Sequence, residues 1–259
     1  MKGKTALITG SAAGLGFSIA EELARSGCHV ALHGIEPAAQ VEPERARLAH
    51  AHGVEVSYTV ADLSEAAATE RLIGQVQTLH GAIDILVNNA VVRHFAGIAE
   101  FPPERWDQAL AVNLSAAFHA IRLCLPAMRS SGWGRIFNMT SVYGSRGVAN
   151  RVDYVTTKTA LIGLTRSVAV ETNDQGITCN ALCPGAVLTP TSENRIAALV
   201  QETGLSHEQA TRKFLQGKNP NQRFVDPAHI GQLVVFLCGE AGRDITGAVL
   251  PVEGGWLAG

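Results

Sequence analysis

The chain has 259 residues, of which 46% are hydrophobic and 17% charged, and its formal net charge is -2. This composition supplies enough apolar side chains for a large core and shows no sign of intrinsic disorder. The near-neutral charge gives no electrostatic reason to expect nucleic acid or an anionic membrane as a partner. No apolar run reaches the length of a membrane span, and we expect no signal peptide because the chain enters a strand-like run directly.

The five cysteines are an odd number without paired short spacings, which is typical of a reducing compartment, so we expect a cytoplasmic protein. Cys179 and Cys183 lie in the apolar run ITCNALC, where the sequence offers too few further ligands at short spacing for zinc. We expect both thiols to be buried small hydrophobic groups, and we predict no metal site.

A glycine-rich turn follows the first predicted strand. Residues 4–9 (KTALIT) read as a buried strand, residues 10–16 (GSAAGLG) as the turn, and the next run has helical period up to Gly27. Glycines allow close backbone approach, and the free N–H groups of a helix N-terminus attract a pyrophosphate. The spacing alone also suits an ordinary tight loop, but the flanking strand and helix favour a dinucleotide site.

The second predicted strand, residues 28–33, leads into GIEP, where Glu36 is a candidate to bind the adenosine ribose. No Arg or Lys stands in the glycine turn or directly after this strand. A 2′-phosphate needs such a cation, so the sequence favours NAD over NADP. After the third strand, residues 54–60, Asp62 is a candidate acceptor for an adenine amino group; it also suits a helix cap, a role for which Ser64 competes.

Polar side chains recur along the middle of the chain. The fourth strand, residues 83–87, leads into Asn88 and Asn89, at the strand end where ligands bind in this architecture. A helix over residues 103–129 contains Asn113 in an apolar stretch. That amide suits a local backbone bond or kink, or a carbonyl-and-water relay to Lys158.

The fifth strand, residues 134–141, delivers Ser141 to the start of a helix predicted over residues 153–174. Tyr154 and Lys158 are four residues apart and therefore lie on one face of that helix. An ammonium close to a phenol favours the phenolate, which makes a general acid/base for a carbonyl or alcohol oxygen. Ser141 could hydrogen-bond the same oxygen. A lone pair of this kind also occurs as surface packing, so the other motifs decide between the two interpretations.

The remaining elements complete an alternation of strands and helices. They are a sixth strand (177–183) ending at Pro184-Gly185, a polar helical segment (189–221), a helix (226–238) and a last strand (245–256). The alternation predicts an α/β fold with one Rossmann-like, doubly wound parallel sheet over residues 1–259. Residues 189–221 are expected to form a small helical lid over the strand ends.

Together these motifs resemble the short-chain dehydrogenase/reductase family over essentially the whole chain. The motifs are Thr9-Gly10-x-x-x-Gly14-x-Gly16, Asp62, Asn88-Asn89-Ala90, Asn113, Ser141, Tyr154-x-x-x-Lys158 and Pro184-Gly185. The resemblance implies a nicotinamide cofactor and a homotetramer built partly from the helices of residues 103–130 and 153–175. The departures are Val91 and Glu253, at positions where the family usually has Gly and Asp.

The resemblance also implies roles for individual residues. Tyr154 would be the acid/base, Lys158 would bind the nicotinamide ribose, Ser141 would orient the substrate and Asn113 would complete a proton relay. The implied cofactor-binding residues are Gly10, Ser11, Gly14, Leu15, Gly16, Asp62, Leu63, Asn89, Ala90, Tyr154, Lys158, Pro184, Gly185 and Val187.

Within the family, stretches such as WGRIFNMTSVYG, TCNALCPGAVLTP and EGGWLAG resemble bacterial D-3-hydroxybutyrate dehydrogenases. Those enzymes use NAD. The positions that hold their substrate carboxylate correspond here to Arg93, Tyr143, Arg151 and Glu193. Two arginines indicate a bound anion such as a carboxylate, phosphate or phosphonate, although both also suit an ordinary surface. Glu193 would either repel that anion or pair with an arginine.

We therefore predict an NAD-dependent alcohol dehydrogenase that acts on a small anionic hydroxy compound, with Arg93, Ser141, Tyr143, Arg151, Tyr154 and Glu193 around the substrate. Broader carbonyl or 3-oxoacyl reduction, or polyol or sugar oxidation, is the alternative that the altered pocket allows. A dinucleotide-binding regulator without catalysis is a third hypothesis. It is disfavoured because such proteins usually lose the tyrosine or the lysine, and both are present.

Overall fold

A computed structural model describes residues 1–258 and contains a seven-stranded sheet, parallel throughout, in the order β3-β2-β1-β4-β5-β6-β7. The strands are β1 (Thr5–Ile8), β2 (His29–Gly34), β3 (Val56–Val60), β4 (Ile85–Asn88), β5 (Gly134–Met139), β6 (Ile177–Pro184) and β7 (Val249–Val252). The order reverses between β1 and β4, which is the switch point where ligands bind in doubly wound sheets. The predicted fold class is confirmed, although several strands are shorter than predicted.

Nine α-helices connect or flank these strands in the described residues. They are α1 (Gly14–Arg25), α2 (Ala38–His52), α3 (Ala66–His80), α4 (Pro103–Leu110), α5 (Ala116–Ser131), α6 (Val152–Thr172), α7 (Pro190–Thr203), α8 (His207–Leu215) and α9 (Pro227–Cys238). Helices α7 and α8 lie inside the segment predicted as a lid. The helix predicted over residues 103–129 contains a π turn at Ala111–Ser115 between α4 and α5.

The core lies on both faces of the sheet. Successive side chains of a strand point to opposite faces, and β1 shows this directly. Ala6 and Ile8 belong to one buried cluster, which includes residues of α1 and α9, while Leu7 belongs to another, which includes residues of α3 and α5. With helices covering both faces, the central strands β1 and β4 are predominantly hydrophobic.

One expectation about hydropathy is wrong. The continuous helical stretch Pro103–Ser131 has 29 residues and a mean hydropathy of 1.4, so its length and composition would allow it to cross a membrane. The stretch packs along the sheet instead, where Ala117, Ala120 and Cys124 are buried. A helix that belongs to a protein core satisfies the same test, because one of its faces is apolar for packing.

Candidate active site

The glycine turn opens onto the N-terminus of α1, which has no side-chain cap and no acidic residue in its first turn. Its first N–H groups are therefore free to bind an anion. Gly10 has φ +63°, and a Cβ there would lie 2.8 Å from the Cα of Ala90. A Cβ at Gly16 would meet the carbonyl oxygen of Gly10. The turn leaves a shallow cradle that fits the pyrophosphate of a nicotinamide dinucleotide, with Gly14 and Leu15 at the start of the helix.

Neighbouring side chains hold the turn in this shape. Asn89 donates from Nδ2 to the carbonyls of Thr9 (3.0 Å) and Gly10 (2.8 Å), and the N–H of Ala90 donates to Thr9 Oγ1. The hydroxyl of Ser11 donates to the carbonyl of Ile8 and is fully buried. The side chains of Asn89 and Ser11, both predicted to bind the cofactor, are thus used within the protein.

His33 supports the same turn and was not identified from the sequence. Its Nδ1 accepts the N–H of Gly10 at 3.0 Å, and its Nε2 lies 3.0 Å from the carbonyl oxygen of Ala61. Burial lowers the pKa of His33 below its ordinary value, which favours the neutral ring that this pair of bonds requires. The signal available in the sequence was a histidine inside an otherwise apolar strand.

Glu36 lies where an adenosine ribose would be expected. A Cβ built on Gly34 would meet a Glu36 carboxylate oxygen, the Tyr58 hydroxyl and Ala12, so these groups surround the end of β2.

Asp62 accepts the N–H of Ser64 at 2.9 Å, and this bond lowers the pKa of Asp62. Neither Asp62 nor Ser64 is the N-cap residue of α3, which is Glu65. Leu63 is buried beside Asp62.

The predicted acid/base pair is brought together at the start of α6. Lys158 Nζ lies 5.6 Å from the centroid of the Tyr154 ring and donates to the carbonyl of Met139 at 2.6 Å. Only 3% of Lys158 and 6% of Tyr154 are exposed. Burial, and then the charge of Arg93, lowers the pKa of Lys158 to about 7. The ammonium expected from the sequence is therefore only partly present at neutral pH in the protein alone.

Ser141 and Asn113, the other two residues predicted to take part in catalysis, are both buried. Ser141 lies two residues after β5 ends, and its hydroxyl accepts the N–H of Tyr143 at 3.3 Å. Asn113 sits in the π turn; its amide accepts the N–H of Val92 at 2.8 Å and donates to the Val92 carbonyl at 3.0 Å. The amide therefore bonds to backbone 21 residues earlier in the chain and not to local backbone, and a relay to Lys158 stays a prediction.

Two arginines cover the ring of Tyr154. The guanidinium carbon of Arg93 lies 5.1 Å from the ring centroid, and that of Arg151 lies 4.7 Å from it. Asp153 holds the loop that carries Arg93, because its Oδ2 accepts the N–H of His94 at 3.1 Å. Burial and the charge of Arg93 lower the pKa of Arg151, and the Nε of Arg151 is buried without a hydrogen-bond partner.

Tyr143 and Trp256 close another side of the site. Their rings meet edge to face at a centroid distance of 5.5 Å, and Tyr143 also lies 6.4 Å from the ring of Tyr154. Burial raises the pKa of Tyr143. Trp256 was not identified from the sequence, since its contact with Tyr143 joins the end of the chain to the loop after β5.

Glu193 does not pair with an arginine, which was one of the two alternatives expected for it, and repulsion of a substrate anion stays a prediction. Its Oε2 lies 3.3 Å from His207 Nε2, so it pairs with α8 instead of an arginine. Arg195, on the same helix, has its guanidinium carbon 5.0 Å from the centroid of the Phe95 ring. Arg151 lies 4.2 Å from the same centroid. Helical spacing places Glu193 and Arg195 on different sides of α7.

The segment after β6 runs beside the glycine turn. Gly185 donates to the carbonyl of Val252 at 3.0 Å, and Val187 bridges to Val225. The buried amide of Asn219 accepts the N–H of Ala186 and donates to its carbonyl, so it fixes the segment that begins at Pro184. In the part of the chain that the structure describes, no cluster of His, Cys, Asp or Glu could hold a metal ion.

Comparisons with known proteins agree over the whole chain. A family model described as enoyl-(acyl carrier protein) reductase matches residues 10–257. The chain is 43% identical to a D-beta-hydroxybutyrate dehydrogenase of Cupriavidus necator, covering 100% of this chain and 99% of that protein. A second D-beta-hydroxybutyrate dehydrogenase, from Rhizobium meliloti, is 36% identical over 98% of this chain and 99% of its own length. The solved structure of an L-sorbose reductase from Gluconobacter frateurii, complexed with NADPH and L-sorbose, is similar with a TM-score of 0.95 at 28% identity, covering 100% of this chain and 98% of that one.

Proposed function

Because the chain belongs to the short-chain dehydrogenase/reductase family and is an oxidoreductase for hydroxy compounds, we propose that it transfers a hydride between NAD and a small anionic hydroxy compound similar to 3-hydroxybutyrate. The observation that carries the anionic substrate is the pair of guanidinium groups of Arg93 and Arg151 over the ring of Tyr154. An arginine fork matches the geometry of an oxyanion and stays charged at any working pH.

Tyr154, Ser141 and Lys158 each have a separate role in the proposed reaction. The bound dinucleotide supplies the acceptor for the hydride that leaves the carbinol carbon. Tyr154 takes the hydroxyl proton as the C–H bond breaks and returns it in the reverse direction. Ser141 donates to the substrate oxygen and orients it. Lys158 holds the nicotinamide ribose and stabilises the negative phenolate.

The choice of NAD is supported by the groups around the end of β2. A carboxylate oxygen of Glu36 and the hydroxyl of Tyr58 lie around Gly34. The carboxylate would accept hydrogen bonds from ribose hydroxyls and would repel a 2′-phosphate. Neither side chain is a cation, in agreement with the absence of Arg and Lys from this stretch of the sequence.

A second candidate is the oxidation of a polyol or sugar, or the reduction of a corresponding ketone. It is supported by the likeness to the L-sorbose reductase structure and by the polar pair Glu193–His207 on the lid, which could bind hydroxyl groups. Turnover of neutral polyols in preference to hydroxy acids would favour this candidate.

We also propose a cytoplasmic homotetramer without nucleic acid or membrane partners. Phe118 on α5 is 49% exposed and Val170 on α6 is 72% exposed, and an interface between these helices would cover both. The five cysteines are free and buried, which suits a reducing compartment. Light scattering of the purified protein and cell fractionation test the two parts of this proposal.

The experiment that tests the reaction is NADH formation from D-3-hydroxybutyrate and NAD, with a neutral polyol beside it, for the wild type and Tyr154→Phe. The phenylalanine keeps the ring but cannot exchange a proton, so turnover should fall by at least about 10²-fold while NADH still binds. A fully active Tyr154→Phe variant would exclude Tyr154 as the acid/base.

A further inference from the structure

We propose that Arg195, on helix α7 of the lid, is a specificity-determining residue, and that Arg93, Arg151 and Arg195 together bind a tetrahedral anion with three oxygens, a phosphonate or sulfonate. This anion would lie at the end of the substrate away from the reacting hydroxyl. The inference rests on the proposed function and narrows its substrate class.

The three arginines are connected through two aromatic rings that they share. Arg93 and Arg151 both lie over the ring of Tyr154, at 5.1 and 4.7 Å. Arg151 and Arg195 both lie over the ring of Phe95, at 4.2 and 5.0 Å. Tyr154 thus connects Arg93 with Arg151, and Phe95 connects Arg151 with Arg195 of the lid.

No carboxylate in the described residues forms an ion pair with any of these three arginines. Glu193 pairs with His207. The charge of Asp153 raises the pKa of Arg151 without forming an ion pair with it; one Asp153 oxygen accepts the N–H of His94 and the other is buried without a partner. Arg151 also has a buried Nε without a partner. Three like charges and an unsatisfied buried donor are unfavourable until an anion binds among them.

Lys218 adds a fourth positive group on the lid side. Its Nζ lies 3.5 Å from the centroid of the Phe214 ring, and the charge of Arg195 helps to lower its pKa, after burial. Because the charge of Arg195 acts on Lys218 and that of Arg93 acts on Arg151, positive charge continues from the site into the lid. A single carboxylate would leave most of it uncompensated.

The three arginines come from three different parts of the fold, which favours an anion with three oxygens over a carboxylate with two. Arg93 comes from the loop after β4, Arg151 precedes α6 and Arg195 lies on α7. A carboxylate has two oxygens in one plane, which one bidentate arginine can satisfy. A phosphonate or sulfonate has three oxygens directed away from one another, so that three separate guanidinium groups can each find an acceptor.

A series of compounds with one carbon skeleton separates shape from charge. The four substrates are 3-hydroxybutyrate, 2-hydroxypropanesulfonate, 2-hydroxypropylphosphonate and the neutral butan-2-ol. The sulfonate shares the single charge of the carboxylate and the shape of the phosphonate. The variants are Arg195→Gln and, as a matched control, Arg212→Gln, since Arg212 is a lid arginine already paired with Glu208.

We expect wild-type kcat/KM to be at least about tenfold higher for the sulfonate or the phosphonate than for 3-hydroxybutyrate. Arg195→Gln should lower kcat/KM for the preferred tetrahedral anion by roughly 10–100-fold, chiefly through KM, as for the loss of a charged hydrogen bond. Butan-2-ol turnover and NADH binding should not change, and Arg212→Gln should resemble the wild type. Thermal stability of Arg195→Gln without ligand should not fall, because the substitution removes one of three like charges.

The two proposals fail in different ways. Turnover of 3-hydroxybutyrate that exceeds that of both tetrahedral anions, or an Arg195→Gln variant with unchanged kinetics, overturns the role of Arg195 and leaves the proposed function intact. Oxidation of butan-2-ol alone, with none of the three anions used, overturns the anionic substrate itself. A preference for the phosphonate over the sulfonate supports the proposal and adds a requirement for two negative charges.

Discussion

Arg151 lies over the ring of Tyr154, with its guanidinium carbon 4.7 Å from the ring centroid. The relationship is notable because the sequence assigns the electrostatic role to Lys158, whose pKa falls to about 7 in the protein alone. A guanidinium keeps its charge over the whole working range. The positive potential at the phenol therefore comes from Arg151 and Arg93 as well as from the lysine.

This arrangement predicts a selective effect of Arg151→Met. The methionine keeps an apolar stem against Tyr154 but loses the charge, so kcat/KM for an anionic hydroxy acid should fall by roughly 10–100-fold. Turnover of a neutral secondary alcohol should fall much less. Steady-state kinetics with both substrates measure the difference, and Arg122→Met is the control because Arg122 binds Glu70 on the surface. An equal loss with both substrates would argue against anion binding by Arg151.

The pH dependence of stability tests the environment of Lys158. Its pKa is about 7 in the folded protein, below the ordinary lysine value of 10.5 that applies to the unfolded chain, so the unfolded chain binds more protons between these values. The contribution of Lys158 to the free energy of unfolding is therefore greatest above about pH 10.5 and declines as the pH falls from there to about 7. Between about pH 9 and pH 7 the decline is roughly 2 kcal/mol. Below that range the contribution of Lys158 levels off.

Lys158→Met removes this titration. Chemical denaturation at about pH 9, 8, 7 and 6 should show that the stability of the variant relative to the wild type increases toward lower pH and then becomes constant. Lys213→Met, an exposed lysine of α8, is the control. A constant difference across the series would mean that Lys158 titrates in the folded protein much as it does in the unfolded chain.

The sequence predicts the fold and the centre of the site because both depend on local patterns. The alternation of strands and helices specifies the doubly wound sheet, and the four-residue spacing specifies that Tyr154 and Lys158 share a face of α6. The π turn at Ala111–Ser115 has no such pattern. It was missed because the apolar period continues on both sides of it.

The pocket is where sequence reasoning falls short. Arg195 and Phe95 are a hundred residues apart, and only the packing of the lid on the loop after β4 brings them together. Glu193 was matched to a substrate position but pairs with His207, a contact between two lid helices. Contacts between distant loops leave no periodic signal, so their partners follow only from the folded structure.

Cofactor choice is predicted to depend on Ile35 and Glu36. Ile35 is exposed directly after Gly34, and Glu36 places its carboxylate against Gly34. The double variant Ile35→Arg/Glu36→Ser supplies a cation and removes the repulsive charge, so the ratio of kcat/KM for NADP to that for NAD should rise by at least about 10²-fold. Ile35→Lys alone should have a smaller effect. A ratio that does not move would place the adenosine ribose elsewhere.

Asn113→Asp tests whether the amide of Asn113 holds the loop that carries Arg93. In the wild type Asn113 accepts from the N–H of Val92 and donates to the Val92 carbonyl, and it is buried. A carboxylate can still accept the N–H, but it repels the carbonyl oxygen and loses its hydration. We expect the variant to be less stable than the wild type by roughly 2–4 kcal/mol near neutral pH.

The loss should depend on pH with a definite sign. Burial beside a carbonyl raises the pKa of a carboxyl group in the folded state, so the variant is closest to the wild type below about pH 4 and falls behind as pH rises. A protonated carboxyl can again donate to Val92, which is the physical reason for the recovery. Denaturation curves at several pH values measure this dependence for Asn113→Asp. The control is Asn173→Asp, because Asn173 is exposed. A pH-independent difference would show that the new carboxyl group titrates in the folded protein as it does in the unfolded chain, so that burial beside the Val92 carbonyl is not what destabilises the variant.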